Sequence, residues 1–139
     1  MRATSASLAG AALLLALTGC SNAAPTPTHP DLWVAAESSG FSGLAIVAGN
    51  LTRNADGCFG LSISFGQPEA PEFITTQFPK GTEVLEDEAG VRLPNGEVVL
   101  LGEFIDGGGG YSSGDSPEGY ENFPASCPAE DVAFLSLYE

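Results

Sequence analysis

Basic residues are scarce in this chain. Only four of its 139 residues are lysine or arginine, against 18 aspartates and glutamates, and the formal net charge at pH 7 is −14. A field of this sign repels a phosphate backbone, which excludes nucleic acid as a partner. It also disfavours adsorption to anionic lipid headgroups, so membrane contact would require an anchor. The charge is compatible with binding of cations or basic peptides, or with simple solubility.

Histidine is scarcer still, because His29 is the single one. It lies in a proline-rich segment that we expect to precede the folded domain. A domain without histidine cannot assemble a Ser–His or Cys–His nucleophile, and it has too few ligands for a typical zinc site. We therefore expect no enzymatic activity. A small hydrolase that uses two carboxylates is the least favoured alternative.

A long apolar run that could span a bilayer is also missing at the start of the chain. Residues 8–17 are apolar and follow the positive Arg2, but this run is too short for about 30 Å of hydrocarbon and is typical of a signal peptide. It ends in Leu17-Thr18-Gly19-Cys20. This tetrad resembles the lipobox of bacterial lipoproteins, in which an apolar residue and two small ones precede the lipidated cysteine. A secretory signal with a chance cysteine is the alternative.

The lipobox resemblance implies a division of the chain into three parts. Residues 1–19 would be the signal peptide, and lipid on Cys20 would hold the protein on the extracytoplasmic face of the cell membrane. Residues 20–30 alternate proline with small residues, which predicts an extended tether of about 3 Å per residue. Residues 31–139 would form one acidic domain. Once Arg2 is removed, three basic residues remain against 18 acidic ones, a net charge of −15.

The domain shows the pattern of short β-strands and lacks sustained helical periodicity. Apolar residues alternate with small polar ones from Phe59 to Phe65, and Gly, Pro and Asn separate the apolar segments. The pair Asn95-Gly96 predicts a two-residue hairpin loop, with Leu93 opposite Val98. The same register places Val91 opposite Leu100. The apolar segments lie at residues 44–48, 59–65, 73–78, 82–85, 91–93, 98–101, 103–105 and 132–138.

These segments predict an all-β fold, a small antiparallel barrel or sandwich of about six or seven strands. The layout resembles an OB-like barrel in architecture only. Residues 31–39 are compatible with either a helical turn or an extended lead-in that carries Trp33. With Cys20 lipidated, Cys58 and Cys127 are left as a pair, which predicts a disulfide in an exported domain.

A long Gly-rich acidic loop is predicted between Asp106 and Cys127, and it holds the candidate site residues. Carboxylates among glycines and serines suit a hard cation such as Ca²⁺, although their spacing matches no EF-hand. Exposed aromatic residues on a loop suit partner binding. The alternative is a solvated, disordered flap, at least before Pro117. The proposed Ca²⁺ ligands are Asp106, Asp115, Glu118 and Glu121, and the proposed binding residues are Tyr111, Tyr120 and Phe123.

These observations favour a monomeric, membrane-anchored, non-catalytic binding or envelope-associated module. Its partner would be an envelope protein or a ligand of unknown identity. We expect no cofactor, with bound Ca²⁺ as the alternative. The alternative from another class is a Ca²⁺-dependent structural or adhesive domain.

Overall fold

The computed structural model describes residues 29–37, 44–67, 69–114 and 116–138. The predicted signal peptide, Cys20 and Asp115 lie outside these residues. The regular secondary structure of the described residues is almost entirely β, with one short 3₁₀ helix at Pro117–Gly119. Its strands are β1 (Ala45–Arg53), β2 (Phe59–Ile63), β3 (Glu72–Gln77), β4 (Glu83–Val84), β5 (Gly90–Arg92), β6 (Val98–Leu100), β7 (Phe104–Ser113) and β8 (Asp131–Ser136).

Five of these strands close into a barrel in the order β1-β2-β3-β8-β7. The all-β prediction is confirmed, and the closed five-stranded barrel is compatible with the OB-like layout. One pair of barrel strands departs from the expected antiparallel arrangement, because β3 and β8 run parallel. An odd number of strands cannot alternate in direction all the way around a closed ring. At least one neighbouring pair must then be parallel, and here it is the pair that joins β3 to the last strand.

Strands β4, β5 and β6 form a separate three-stranded sheet inserted between β3 and β7. The predicted hairpin exists, but its register differs by one residue: Val91 lies opposite Val99 and Arg92 opposite Val98. Gly96 has φ 90°, and the Leu93 amide donates to the Glu97 carbonyl at 2.8 Å. The loop therefore has three residues and ends in a glycine bulge, instead of the two-residue turn expected from Asn-Gly. Val98 and Leu100 are consequently half-exposed, while Val91 and Val99 are buried.

The first half of the predicted loop at residues 106–127 is strand β7, so that prediction is wrong. Gly107 lies opposite Val47 of β1, and Gly110 lies opposite Phe134 of β8. A side chain on Gly107 would collide with the Ser136 carbonyl oxygen. Glycine therefore allows β7 to approach its neighbours closely, although the residue is usually depleted in strands.

An aromatic cluster closes one side of the barrel. In the lead-in at residues 29–37, Val34 bridges to Phe78 in parallel, and Trp33 is fully buried. Its ring contacts Tyr120 and Phe123 at centroid distances of 5.0 and 4.9 Å. Tyr120 and Phe123 therefore pack onto the domain through Trp33.

The predicted disulfide is confirmed. Cys58, just before β2, is bonded to Cys127, with their Cα atoms 5.1 Å apart. It fixes the segment that carries Tyr120 and Phe123 to the start of β2. No helix in the described part of the chain has the length and hydrophobicity needed to cross a membrane.

Candidate functional site

A pocket of about 340 Å³ opens at the end of the barrel where β2 and β7 finish and β3 and β8 begin. We call it the mouth pocket. Its lining combines two aromatic rings, two aliphatic side chains, two carboxylates and two hydroxyls: Phe65, Tyr111, Ile74, Val132, Glu72, Asp131, Ser112 and Ser113.

The pocket lies where the parallel pairing of β3 and β8 begins. The first paired residues are Thr75 and Val132, whereas β3 already starts at Glu72. Glu72 and Ile74 therefore extend along β3 ahead of the paired stretch. This unpaired start of β3 thus borders the mouth pocket at the end of the β3–β8 seam.

Tyr111 lies beside the recess and is held by the backbone of β1. Its hydroxyl donates to the Ile46 carbonyl oxygen at 3.1 Å. Strand β2 pairs with β1 only from Asn50 onward, so Tyr111 contacts a stretch of β1 that β2 does not reach. Burial raises the pKa of Tyr111, and a hydrogen bond with the Ala48 backbone opposes this shift. The phenol is consequently protonated at neutral pH, and its proton is the one donated to the Ile46 carbonyl oxygen.

Phe65 forms the second aromatic wall. Its ring packs against Tyr111 at a centroid distance of 5.5 Å and an interplanar angle of 70°, a favourable edge-to-face arrangement. Phe65 is nevertheless 54% exposed and Tyr111 39% exposed. Glu72 and Asp131 are exposed at the same pocket. The mouth pocket thus presents aromatic surface beside negative charge, and no basic residue is among the lining residues that the structure describes.

The structure separates the three aromatic residues that the sequence suggested for binding. Tyr111 lines the mouth pocket, whereas Tyr120 and Phe123 pack on Trp33, whose indole nitrogen donates to the Glu121 carbonyl oxygen at 3.0 Å. Tyr120 and Phe123 are half-buried and line a shallower hollow next to Cys127. Their main contribution is therefore to packing.

Sequence reasoning missed Phe65, Glu72 and Asp131 as site residues. Phe65 continues the period-two pattern of β2 beyond the strand's last residue, Ile63. An apolar residue between the end of a strand and a glycine turn can indicate a binding site, because its side chain lies beyond the part of the strand that is buried in the sheet. Glu72 and Asp131 carried no signal, since nothing in the sequence indicates that the starts of β3 and β8 are adjacent.

The proposed Ca²⁺ ligands are distributed over different elements. Asp106 lies within β7, about 20 Å from the end of that strand at the usual rise per residue. Glu118 belongs to the 3₁₀ helix, and Asp115 is not described. Among the described residues, no group of three or more His, Cys, Asp or Glu side chains is arranged to hold a metal ion. The calcium site stays a prediction.

The single histidine packs on the domain, which the sequence interpretation did not anticipate. His29 Nε2 donates to Glu88 at 2.8 Å, and its Nδ1 accepts from the Asp31 amide at 3.2 Å. Arg53 lies 3.5 Å from both Asp31 and Glu88. The hydrogen bond from His29 and the charge of Arg53 hold the pKa of Glu88 below its usual range. Both ring nitrogens of His29 are thus engaged in linking the lead-in to the turn that contains Glu88.

No family model matches this chain, and neither a curated protein nor a solved structure shows significant similarity to it.

Proposed function

We propose that this protein is a lipid-anchored binding domain of the cell envelope that recognises a ligand at the mouth pocket and carries out no chemistry. The observation that carries the proposal is the pocket itself, in which Phe65 and Tyr111 are exposed beside Glu72 and Asp131. Aromatic and apolar walls with a few polar groups are typical of ligand sites. The closed barrel supplies a rigid frame for them.

The chemistry of the remaining side chains supports binding over catalysis. Cys58 and Cys127 are joined in the disulfide and offer no thiolate. His29 is engaged through both nitrogens with Glu88 and Asp31, so its ring serves as a link between segments. The carboxylates at the mouth pocket lie beside aromatic rings, an arrangement suited to attracting a ligand.

The lipobox tetrad and the disulfide together support a location outside the cytoplasm. Disulfides persist in oxidising compartments and are rare where thiols are kept reduced. The anchor is tested by comparing the wild-type protein with Cys20→Ser in cell fractions and by intact mass. We expect the wild-type protein in the membrane fraction with an acylated Cys20 terminus, and the variant as a soluble form or an uncleaved precursor. A soluble wild-type protein that begins at another residue would refute the anchor.

The binding role is tested by placing a photo-crosslinking phenylalanine analogue at position 65 in intact cells. Position 104 is the matched control, because Phe104 is also an exposed phenylalanine, at 63%, and does not line the mouth pocket. The proposal expects a discrete adduct from position 65 and none from position 104. Equal labelling at both positions, or none at either, would contradict recognition at the mouth pocket.

A further inference from the structure

We propose that the mouth pocket receives the arginine or lysine side chain of a basic peptide segment. This inference rests on the proposed binding function and names its ligand class. Glu72 and Asp131 contribute negative charge, and the lining residues that the structure describes include no basic side chain to neutralise it. The whole chain carries a net charge of −14, so a cationic segment is attracted from a distance and an anionic one is repelled.

The aromatic walls favour an organic cation over a simple ion. A guanidinium or ammonium group within about 6 Å of an aromatic ring centroid is attracted by the negative face of the ring. The chain itself contains one such contact, with the Arg53 guanidinium carbon 4.5 Å from the centre of the Phe59 ring. At the mouth pocket the ring of Phe65 is more than half exposed, and two carboxylates stand beside it. An incoming cation would make with the Phe65 ring the kind of cation–π contact that Arg53 makes with Phe59.

Size and charge argue against three other occupants: a folded domain, a calcium ion and a second copy of this chain. A volume of about 340 Å³ lies at the lower end of the range for ligand pockets and accommodates a side chain rather than a folded domain. Ca²⁺ takes six to eight oxygen ligands, and no group of three or more acidic side chains is arranged for it among the described residues. A second copy of the chain would bring a net charge of −14 against the same charge. A basic peptide satisfies the charge, the rings and the volume together.

The test is calorimetric titration of the full mature protein in micelles of an uncharged detergent with three blocked hexapeptides. The first alternates arginine with serine, the second replaces arginine with citrulline, and the third replaces it with glutamate. Citrulline preserves the size and planar shape of arginine, but its neutral urea carries a carbonyl oxygen in place of one nitrogen of the charged guanidinium. We expect saturable binding of the arginine peptide, binding at least about tenfold weaker for the citrulline peptide, and none for the glutamate peptide. Added salt should weaken the binding of the arginine peptide.

Matched variants separate the mouth pocket from the acidic surface as a whole. Phe65→Ala and Glu72→Gln change exposed lining residues and should each weaken arginine-peptide binding by about three- to fivefold. Phe104→Ala and Glu97→Gln change exposed residues elsewhere and should leave it unaltered. If the lining variants and the control variants lost the same binding affinity, the attraction would be non-specific and the proposal would be overturned. Equal binding of the arginine and citrulline peptides would also overturn it. If the crosslink from position 65 were still obtained, the binding function would stand and the ligand class alone would fall.

Discussion

Gly109 occupies a point in the barrel that tolerates no side chain. Its φ is +151°, and a Cβ atom there would collide with the Phe134 carbonyl oxygen of β8. Both the backbone conformation and the space therefore require glycine. We expect Gly109→Ala to lower the free energy of unfolding by about 2–4 kcal/mol, the sum of an overpacking cost and a backbone cost. Denaturant unfolding measures this change.

Gly108 is the matched control for this substitution because it is the preceding residue of the same strand. A Cβ on Gly108 would meet only the Tyr138 ring, at 3.9 Å, an ordinary contact. Gly108→Ala should be close to neutral or stabilising, since alanine reduces the entropy of the unfolded chain. Equal destabilisation by the two substitutions would show that the glycines act through general flexibility instead of close strand contact.

Glu88 gives the protein a defined dependence on pH. Its usual pKa of 4.5 is lowered in the folded state by the hydrogen bond from His29 and the charge of Arg53. A carboxyl group with a depressed folded-state pKa contributes stability above its unfolded pKa and loses that contribution as pH falls through the folded value. The stability difference between wild-type protein and Glu88→Gln should thus be present at about pH 6 and absent at about pH 2.

The measurement is the denaturant midpoint of both proteins at the two pH values. Glu97→Gln is the control because Glu97 lies in the exposed hairpin turn. The substitution leaves its backbone carbonyl oxygen, which accepts from the Leu93 amide, in place. A difference between wild-type protein and Glu88→Gln that stayed constant with pH would contradict the ionic role of Glu88.

Strand β7 is the element on which barrel closure depends. It pairs with β1 on one side and with β8 on the other. Deletion of residues 107–114 would remove three of the six residue pairs with β1 and all six pairs with β8, which would leave two open edges. We expect the shortened protein to lose its cooperative thermal transition, as followed by near-ultraviolet circular dichroism. An almost unchanged melting temperature would mean that this stretch is a dispensable loop.

At the level of elements, the sequence predicted the strands in which apolar and polar side chains alternate. It missed the stretch that forms a strand through backbone pairing alone. The alternation from Phe59 to Ile63 identified β2 correctly. The glycines at 107–110 have no side chains to alternate, so the only available signal was their rarity in strands, and it pointed to a loop. The hairpin register depended on whether both Asn95 and Gly96 adopt positive φ, as a two-residue turn requires. In the structure only Gly96 does so.

For the whole molecule, the Cys58–Cys127 bond joins segments that are 69 residues apart in sequence. Cross-linking distant residues restricts the unfolded chain, so reduction should lower the free energy of unfolding by about 2–4 kcal/mol. The single tryptophan, Trp33, reports the change because it packs against Tyr120 and Phe123 near Cys127. The paired variant Cys58→Ala/Cys127→Ala is the control for effects of the reductant. If reduction left the unfolding midpoint unchanged, the bond would have no stabilising role.

The candidate site was largely invisible in the sequence because it exists only after the barrel closes. Tyr111 was identified as an aromatic residue on a predicted loop, although it lies in strand β7. Its neighbours Phe65, Glu72 and Asp131 come from three different strand ends, and a linear pattern does not show which ends meet. The fold class was predictable from the pattern and composition of the apolar segments. The disulfide was predictable because two cysteines remain once Cys20 is taken as lipidated.

The parallel seam between β3 and β8 has a consequence for the order of folding. Strands β1, β2 and β3 follow one another as antiparallel neighbours and can pair through short connections. The contact between Thr75 and Val132 must wait until β7 and β8 have reached the open edge of β3. Closing such a long loop makes the late step slow. Substitutions at the β3–β8 seam should therefore act mainly on the unfolding rate, and those in the β1–β2 hairpin on the folding rate.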